Sequence, residues 1–324
     1  VGGSGGVGRW TADYLRSTHP NLKLLIGGRD RAKAEKVAAE VGGAEGVALD
    51  MAAADLGLGD RQVSAVAVFP KDDRVTALRF ALSRMVPHLG ISGGIVEIGP
   101  EVAAFADRPN AAAVVLGAEW LVGATTVPTL KFAKAFGRLD DVTLGAVVDE
   151  KDAGGPATTE DFERLEKTMP QALILRGGSY VWHKETRKLR AVDGTEMEAS
   201  AFSPFDVVGL GAATGAPNVR FHLATGVSSS RRNGGPPSTE ILIELAGQDH
   251  AGRPLRTRHA VVHPGGHKPL TGLGVAMLLE RLVGLDGRPP TPAGLYFPYQ
   301  LLEPTAYLAR LGQVGGRTLA LDVQ

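Results

Sequence analysis

The chain has 324 residues, with 35 lysines and arginines balanced by 35 aspartates and glutamates, and no cysteine. Zero net charge gives no reason to expect nucleic acid or an anionic membrane surface as a partner, and the lack of cysteine excludes disulfides, a thiolate nucleophile and cysteine-ligated metal. At 44% hydrophobic and 22% charged residues, with no apolar run of membrane-spanning length and no visible signal peptide, the expectation is a soluble cytoplasmic protein with room for two domains.

The first eight residues, Val1-Gly2-Gly3-Ser4-Gly5-Gly6-Val7-Gly8, put Gly3, Gly5 and Gly8 in the G-x-G-x-x-G spacing. That spacing turns a parallel strand into a helix beneath a dinucleotide pyrophosphate: one glycine for the turn, one for close approach of backbone to phosphate, one for helix–strand packing. Arg9 to Ser17 reads as the helix, its unpaired N–H groups and positive dipole end facing the anion. A first strand takes about 4–6 apolar residues, and only Val1 precedes the glycines, so further β-forming residues are expected upstream of position 1.

Leu22 to Ile26 reads as a buried parallel strand, followed by a helix from Ala32 to Val41 that stops at Gly42-Gly43. NAD sites place an acid about 20 residues past the glycine turn; counting from Gly8 lands on Gly28-Arg29, where no carboxylate ends the strand. A guanidinium there favours the 2′-phosphate of NADP, with Ser4, Arg31 and Lys33 as further contacts; the alternative is a solvated Arg29. Val47 to Met51 is a third strand whose Asp50 either touches the adenine edge or caps the next helix. Val63 to Phe69 is a fourth, with Phe69 and Pro70 placed to line the nicotinamide-ribose region. The expected cofactor-binding set is therefore Gly3, Ser4, Gly5, Gly6, Val7, Gly8, Arg29, Asp30, Asp50, Phe69 and Pro70. A helix from Arg74 to Leu89 and strands at Gly94–Gly99 and Ala111–Leu116 complete a doubly wound pattern.

Several blocks resemble the saccharopine dehydrogenase-like oxidoreductases: GGSGGVG, GRDRAKAEKVAAEVG (28–42), VALD (47–50), GAEWLVGATTVPTLKFAKAF (117–136), GQDHAGRPLRTR (247–258) and GGHKPLTGLGVAMLLERLVG (265–284). The chain departs from that family after the fourth strand, where Val68-Phe69-Pro70-Lys71 stands in place of an Asn and a Gly-Pro. The resemblance implies an α/β protein: a Rossmann doubly wound parallel sheet with an inserted α+β substrate domain built on a mixed sheet. The expected boundaries are 1–125 plus 268–324 for the dinucleotide domain and 126–267 for the substrate domain. The residues agree: Leu139–Val148, Ser179–Trp182 and Val219–Leu223 alternate as strands, and Thr158-x-x-Asp161 resembles a capping box on a helix that Pro170 stops. Thr239–Leu245 and Pro254–Val262 flank a hairpin turn, Leu270–Val283 reads as a buried helix, and Ser228–Pro237 reads as an exposed loop.

A nicotinamide enzyme leaves hydride chemistry to its cofactor and must itself orient the substrate and manage one proton. Glu97 and Glu119 follow predicted strands; either one binds a substrate amine or is an ordinary acid capping a helix or pairing with arginine. His267 and Lys268, in the connection before the last helix and expected near an interdomain cleft, are candidates for proton donor or substrate anchor, against a plain turn with a solvated lysine. His263 with His267 lacks the helical spacing and nearby carboxylate of a metal pair, so no metal is expected. Arg231 is a candidate for a substrate carboxylate and Thr125 for the pocket lining. Three functional readings follow: an NADP(H)-dependent oxidoreductase acting on a carbon bearing nitrogen in an amino-acid-derived small molecule, which the resemblance implies; a reductase of C=C or C=O bonds in a lipid- or polyketide-like substrate; and a non-catalytic NADP(H)-binding sensor. A homodimer is the expected assembly.

Overall fold

A computed structural model describes residues 1–323 apart from 153, 156–159, 161–162, 165–166 and 170. The expected capping box at Thr158–Asp161 and helix stop at Pro170 lie outside the described residues. The chain divides into two compact units, the first built mainly from Val1–Ala118 and Thr271–Leu302, the second mainly from the residues between them and from the tail that begins at Glu303. No helix among the described residues is long and apolar enough to cross a membrane.

The first unit alternates helix and strand: α1 (Gly6–Thr18), β1 (Leu24–Gly28), α2 (Arg31–Val41), β2 (Ala44–Ala48), β3 (Val66–Val68), α3 (Thr76–Arg84), β4 (His88–Gly90), α4 (Gly99–Asp107) and β5 (Ala113–Leu116). β1 and β2 pair in parallel, as do β3, β4 and β5. Residues 1–3 join the two pieces. The Val1 nitrogen donates to Ala67 O at 2.7 Å, Phe69 N–H donates to Val1 O at 3.1 Å, and Gly3 N–H donates to Gly27 O at 3.1 Å. The resulting order is β2, β1, residues 1–3, β3, β4, β5, the doubly wound arrangement, with β5 fully buried along its Ala-Val-Val-Leu run, as a central parallel strand requires. Helices pack on this sheet almost backbone to backbone. A Cβ on Gly46 of β2 would lie 2.3 Å from Glu35 N of α2, and Ala34, Val37, Ala38 and Val41 close over Ile26.

The strand read at Val47–Met51 lies earlier, at Ala44–Ala48, and two further expected elements differ in kind. The helix read from Arg74 to Leu89 ends at Arg84: Pro87 disfavours helical geometry before it, Met85 turns left-handed at φ 56°, and the chain restarts as β4, so Leu89 is a strand residue. The strand read at Gly94–Gly99 is a turn, because Gly94 N–H donates to the Glu97 carboxylate at 2.8 Å and closes the chain on itself.

The second unit carries a nine-stranded mixed sheet. Its strands are β6 (Phe136–Asp149), β7 (Ala172–Arg176), β8 (Ser179–His183), β9 (Thr186–Arg190), β10 (Glu196–Ala201), β11 (Asn218–Gly226), β12 (Thr239–Asp249), β13 (Pro254–His263) and, after β14 (Gly294–Tyr296) of the first unit, β15 (Arg317–Leu321). β6 sits centrally, parallel to β11 and antiparallel to β12, and β12–β13 is the expected hairpin. Helices α5 (Thr126–Ala133), α6 (Asp206–Thr214), the single turn α7 (Ser229–Arg232), α8 (His267–Val283), the single turn α9 (Pro298–Leu301) and α10 (Pro304–Gln313) complete the chain. The tail was expected in the dinucleotide domain; instead β15 hydrogen-bonds along β13 and belongs to the second sheet. In α8, Leu273, Val275, Ala276, Leu278 and Leu282 are fully buried, as its apolar pattern predicts.

Candidate functional site

The glycine turn has the geometry its spacing predicts. A Cβ on Gly8 would lie 2.6 Å from Gly3 Cα, so α1 meets the strand only because both residues lack side chains. Gly5, capping α1, has only Gly2 O near its Cβ position, which leaves the backbone of Gly5, Gly6 and Val7 open to a large anion. α1 has neither a side-chain cap nor an acid in its first turn. Among the described residues no side chain caps the first N–H groups; the Gly5 N–H is bonded to Gly2 O at 3.0 Å, and those of Gly6 and Val7 suit a pyrophosphate. A cradle that a Cβ would fill, at the start of an uncapped 13-residue helix, fits a dinucleotide.

The strand ends around the turn discriminate. Arg29 is exposed just past β1. Ser4 lies over the same strand end, its hydroxyl 3.3 Å from where a Gly28 Cβ would stand. Asp30, expected among the cofactor contacts, accepts from Lys33 N–H at 3.0 Å through Oδ1 and so caps α2. Asp50 accepts from Ala52 N–H at 2.8 Å in a turn; no helix follows it, so its cap reading changes from helix to turn. Pro70 packs on the turn itself, since a Cβ on Gly2 would lie 2.7 Å from its Cδ. Phe69 is fixed by its N–H bond to Val1.

Beyond Pro70 the first unit holds a cavity of about 250 Å³. Glu97 lines it, paired with Lys71 at 3.5 Å. Glu101, in the first turn of α4, lines it too; burial raises its carboxyl above the ordinary range against the opposing pull of Lys71. His88 opens β4, lines the cavity and is 3% exposed, with no hydrogen-bond partner on either ring nitrogen among the described residues.

The remaining candidates lie in the second unit. Glu119 is buried and accepts a hydrogen bond from the Thr126 hydroxyl. The Thr125 hydroxyl donates to Asp206, which also accepts from Trp120 N–H at 2.7 Å. Thr125 is thus engaged in an internal cluster rather than lining a pocket. Arg231 pairs with buried Asp149 at 3.1 Å and with Glu150 at 2.6 Å. It is not poised for a substrate carboxylate, and the segment read as an exposed loop is anchored: Ser228 and Ser229 are buried, the first on Asp149 and the second on Glu240. His267 begins α8 with Nδ1 2.8 Å from Asp152 Oδ2, which also accepts the His267 N–H at 2.6 Å. Burial would raise Asp152, but the bonds and charge of His267 outweigh it and leave the carboxyl below its ordinary value. Lys268 follows on the same turn. His263 is committed to the backbone, its Nδ1 accepting from Gly265 N–H and its Nε2 facing Val314 O at 3.0 Å. Among the described residues no three His, Asp or Glu side chains gather around a common metal position.

No family model matches the sequence, and no curated protein matches it. Solved structures do. Saccharopine dehydrogenase (L-Glu forming) from Saccharomyces cerevisiae superposes with a TM-score of 0.61 over 98% of both chains at 13% identity. The chain has the saccharopine dehydrogenase fold. Amine dehydrogenase from Mycobacterium smegmatis also matches, with a TM-score of 0.54 at 12% identity over 92% of this chain and 94% of that one.

Within the saccharopine dehydrogenase fold, sequence reasoning singled out the glycine turn, Arg29 and His267 as candidates and did not single out Asp152, His88 or Glu101. Asp152 sits 115 residues from its partner. Its one local trace is Gly266 at φ +81°, where a Cβ would lie 2.1 Å from the Asp152 carboxylate. His88 was hidden inside what reads as the end of a helix.

Proposed function

We propose that the chain is an NADP(H)-dependent oxidoreductase that moves a hydride to or from a carbon bearing nitrogen in an amino-acid-derived small molecule. The observation that carries this reading is the open, acid-free start of α1 beneath the glycine turn, with Arg29 and the Ser4 hydroxyl at the neighbouring strand end. The turn residues would hold the pyrophosphate through backbone N–H groups. Arg29 and Ser4 would hold a 2′-phosphate, Arg through its fork of donors, while Asp30, committed to capping α2, offers the ribose no competing acid. When bound, the nicotinamide supplies the hydride chemistry.

The nitrogen-bearing substrate is supported by the two structural neighbours, one named a saccharopine dehydrogenase and the other an amine dehydrogenase. His267 is the proposed proton carrier. Asp152 accepts at Nδ1, which fixes the tautomer so that the neutral ring keeps its lone pair on Nε2. Asp152 is then a positioning residue. A cytoplasmic homodimer completes the proposal, and light scattering tests its assembly.

A fluorescence titration with NADPH and NADH tests the cofactor. NADPH binding at least about tenfold tighter than NADH, one charge-assisted contact's worth, supports the 2′-phosphate reading; equal affinities remove it. An acceptor screen that pairs amines with carbonyl compounds against enones then tests the bond: NADPH oxidation with imine-forming pairs supports C–N chemistry, and turnover of enones alone overturns it.

A further inference from the structure

The cavity beyond Pro70 holds an unusual set of side chains. Asp72, Asp73, Glu97 and Glu101 line it against one lysine, Lys71. Two of the acids have internal work: Asp72 accepts from Ala77 N–H at 2.8 Å at the start of α3, and Glu97 accepts from Gly94 N–H at 2.8 Å. Even with Lys71 counted, the wall is anionic, which repels carboxylate and phosphate. His88 adds an independent observation. Its ring is 3% exposed, lines the cavity, and has no hydrogen-bond partner on either nitrogen among the described residues. Burial pushes it down to about 3, so it is a neutral imidazole with one acceptor and one donor. A buried polar ring left without partners costs free energy unless something completes it.

Gly90 makes the arrangement possible. It follows His88 on the same face of β4, and a Cβ there would lie 3.0 Å from Glu101 Oε1 and 3.3 Å from His88 Cε1. With no side chain at Gly90, carboxylate and imidazole reach the same space. Val68, Val75, Leu78 and Val96 supply an apolar part of the wall, beside the hydroxyl-bearing Ser92. About 250 Å³ lies just below the usual range for drug-sized ligands, so the occupant is compact. A bare metal ion does not suit it, since no three ligating side chains among the described residues share a metal position.

We propose that this cavity binds a compact primary ammonium group, whose N–H donors meet Glu101, Glu97 and the acceptor nitrogen of His88 while its carbon chain lies on the valines and Leu78. Pro70 is common to the cavity wall and to the glycine turn, so the site adjoins the dinucleotide cradle. Its role as the amine subsite of the substrate rests on the proposed C–N function; its ability to bind an ammonium does not.

Isothermal titration of the full chain with butylammonium chloride, without any dinucleotide, tests the binding. Saturable uptake is expected, with no uptake of butyrate or butanol. Glu101→Gln and His88→Asn should each weaken it by about tenfold, the loss of one charge-assisted or buried hydrogen bond, while NADPH fluorescence titrations stay unchanged. No saturable butylammonium binding, equal binding of butanol, or full affinity in both variants would overturn the proposal. Butylammonium binding without NADPH binding would leave the ammonium site standing and remove only its role as substrate subsite.

Discussion

Three buried carboxylates of the second unit and the open groups of the first stand in opposite conditions. In the second unit these carboxylates are answered internally, although the buried His222 ring has no hydrogen-bond partner among the described residues. Asp149 receives the Ser228 N–H and hydroxyl and pairs with Arg231; Glu240 receives Ser229 and Val192 N–H; Asp206 receives Thr125 and Trp120. In the first unit, among the described residues, the start of α1 has no side-chain cap, the His88 ring has no hydrogen-bond partner, and Arg29 at the strand end is exposed. A polar group already satisfied is spent on the fold, whereas a buried donor or acceptor without a partner is costly until one arrives. Arg231 and Thr125, plausible binding residues in the sequence, stand on the satisfied side of this contrast.

Substitutions can break the contrast, and the largest effect belongs to the framework side. Asp149→Ala leaves the Arg231 guanidinium and two Ser228 donors facing a buried gap; it should cost about 3–5 kcal/mol in denaturant unfolding while leaving NADPH affinity per folded molecule unchanged. A change in affinity at constant stability would mean that Asp149 serves the ligand. Next comes Asp206, which burial pushes up to about 7 against the bonds from Thr125 and Trp120. The folded state therefore holds a proton that the unfolded chain releases near pH 4. Its contribution is full below that pH and falls as the pH rises toward 7, by up to about 4 kcal/mol at 1.4 per unit. In Asp206→Asn that decline should vanish from unfolding curves taken between pH 4 and 8.

On the ligand side, Gly8→Ala forces a Cβ to within 2.6 Å of Gly3 Cα. A melting-temperature loss corresponding to about 1–3 kcal/mol is expected, together with loss of NADPH fluorescence enhancement. Intact binding would show that the turn is not the cradle. The smallest and sharpest test is Arg29→Ala, which should weaken NADPH about tenfold and leave NADH unmoved. An equal loss for both cofactors would place Arg29 on the shared phosphates instead.

Much of the first unit was legible because its signals are local. The glycine spacing fixes a turn whatever surrounds it, and the apolar run at 111–116 becomes the buried strand β5, whereas the run at 22–26 is realised as a strand at Leu24–Gly28 with only Ile26 of the run buried. Errors arose where one local signal overrode another. The apolar spacing through Leu89 looked helical, but Pro87 and a left-handed Met85 ended the helix and put His88 on the sheet. The Gly/Ser/Pro composition of 228–237 looked like an exposed loop, and it is anchored by carboxylates 79 and 11 residues away.

By itself the sequence determined the doubly wound parallel sheet, the glycine turn with its close helix, the arginine where an NAD site would carry an acid, and the hairpin of the second unit. All of these rest on backbone permissions and hydrophobic periods that act within a few residues. Only the tertiary structure decided which polar groups are spent: that Asp30 caps a helix, that Arg231 belongs to Asp149, that Asp152 holds His267, and that His88 stands unpartnered over a cavity beside Glu101. Those outcomes depend on pairings between residues far apart in the chain, whose energies are set by burial and by distances that no local pattern records.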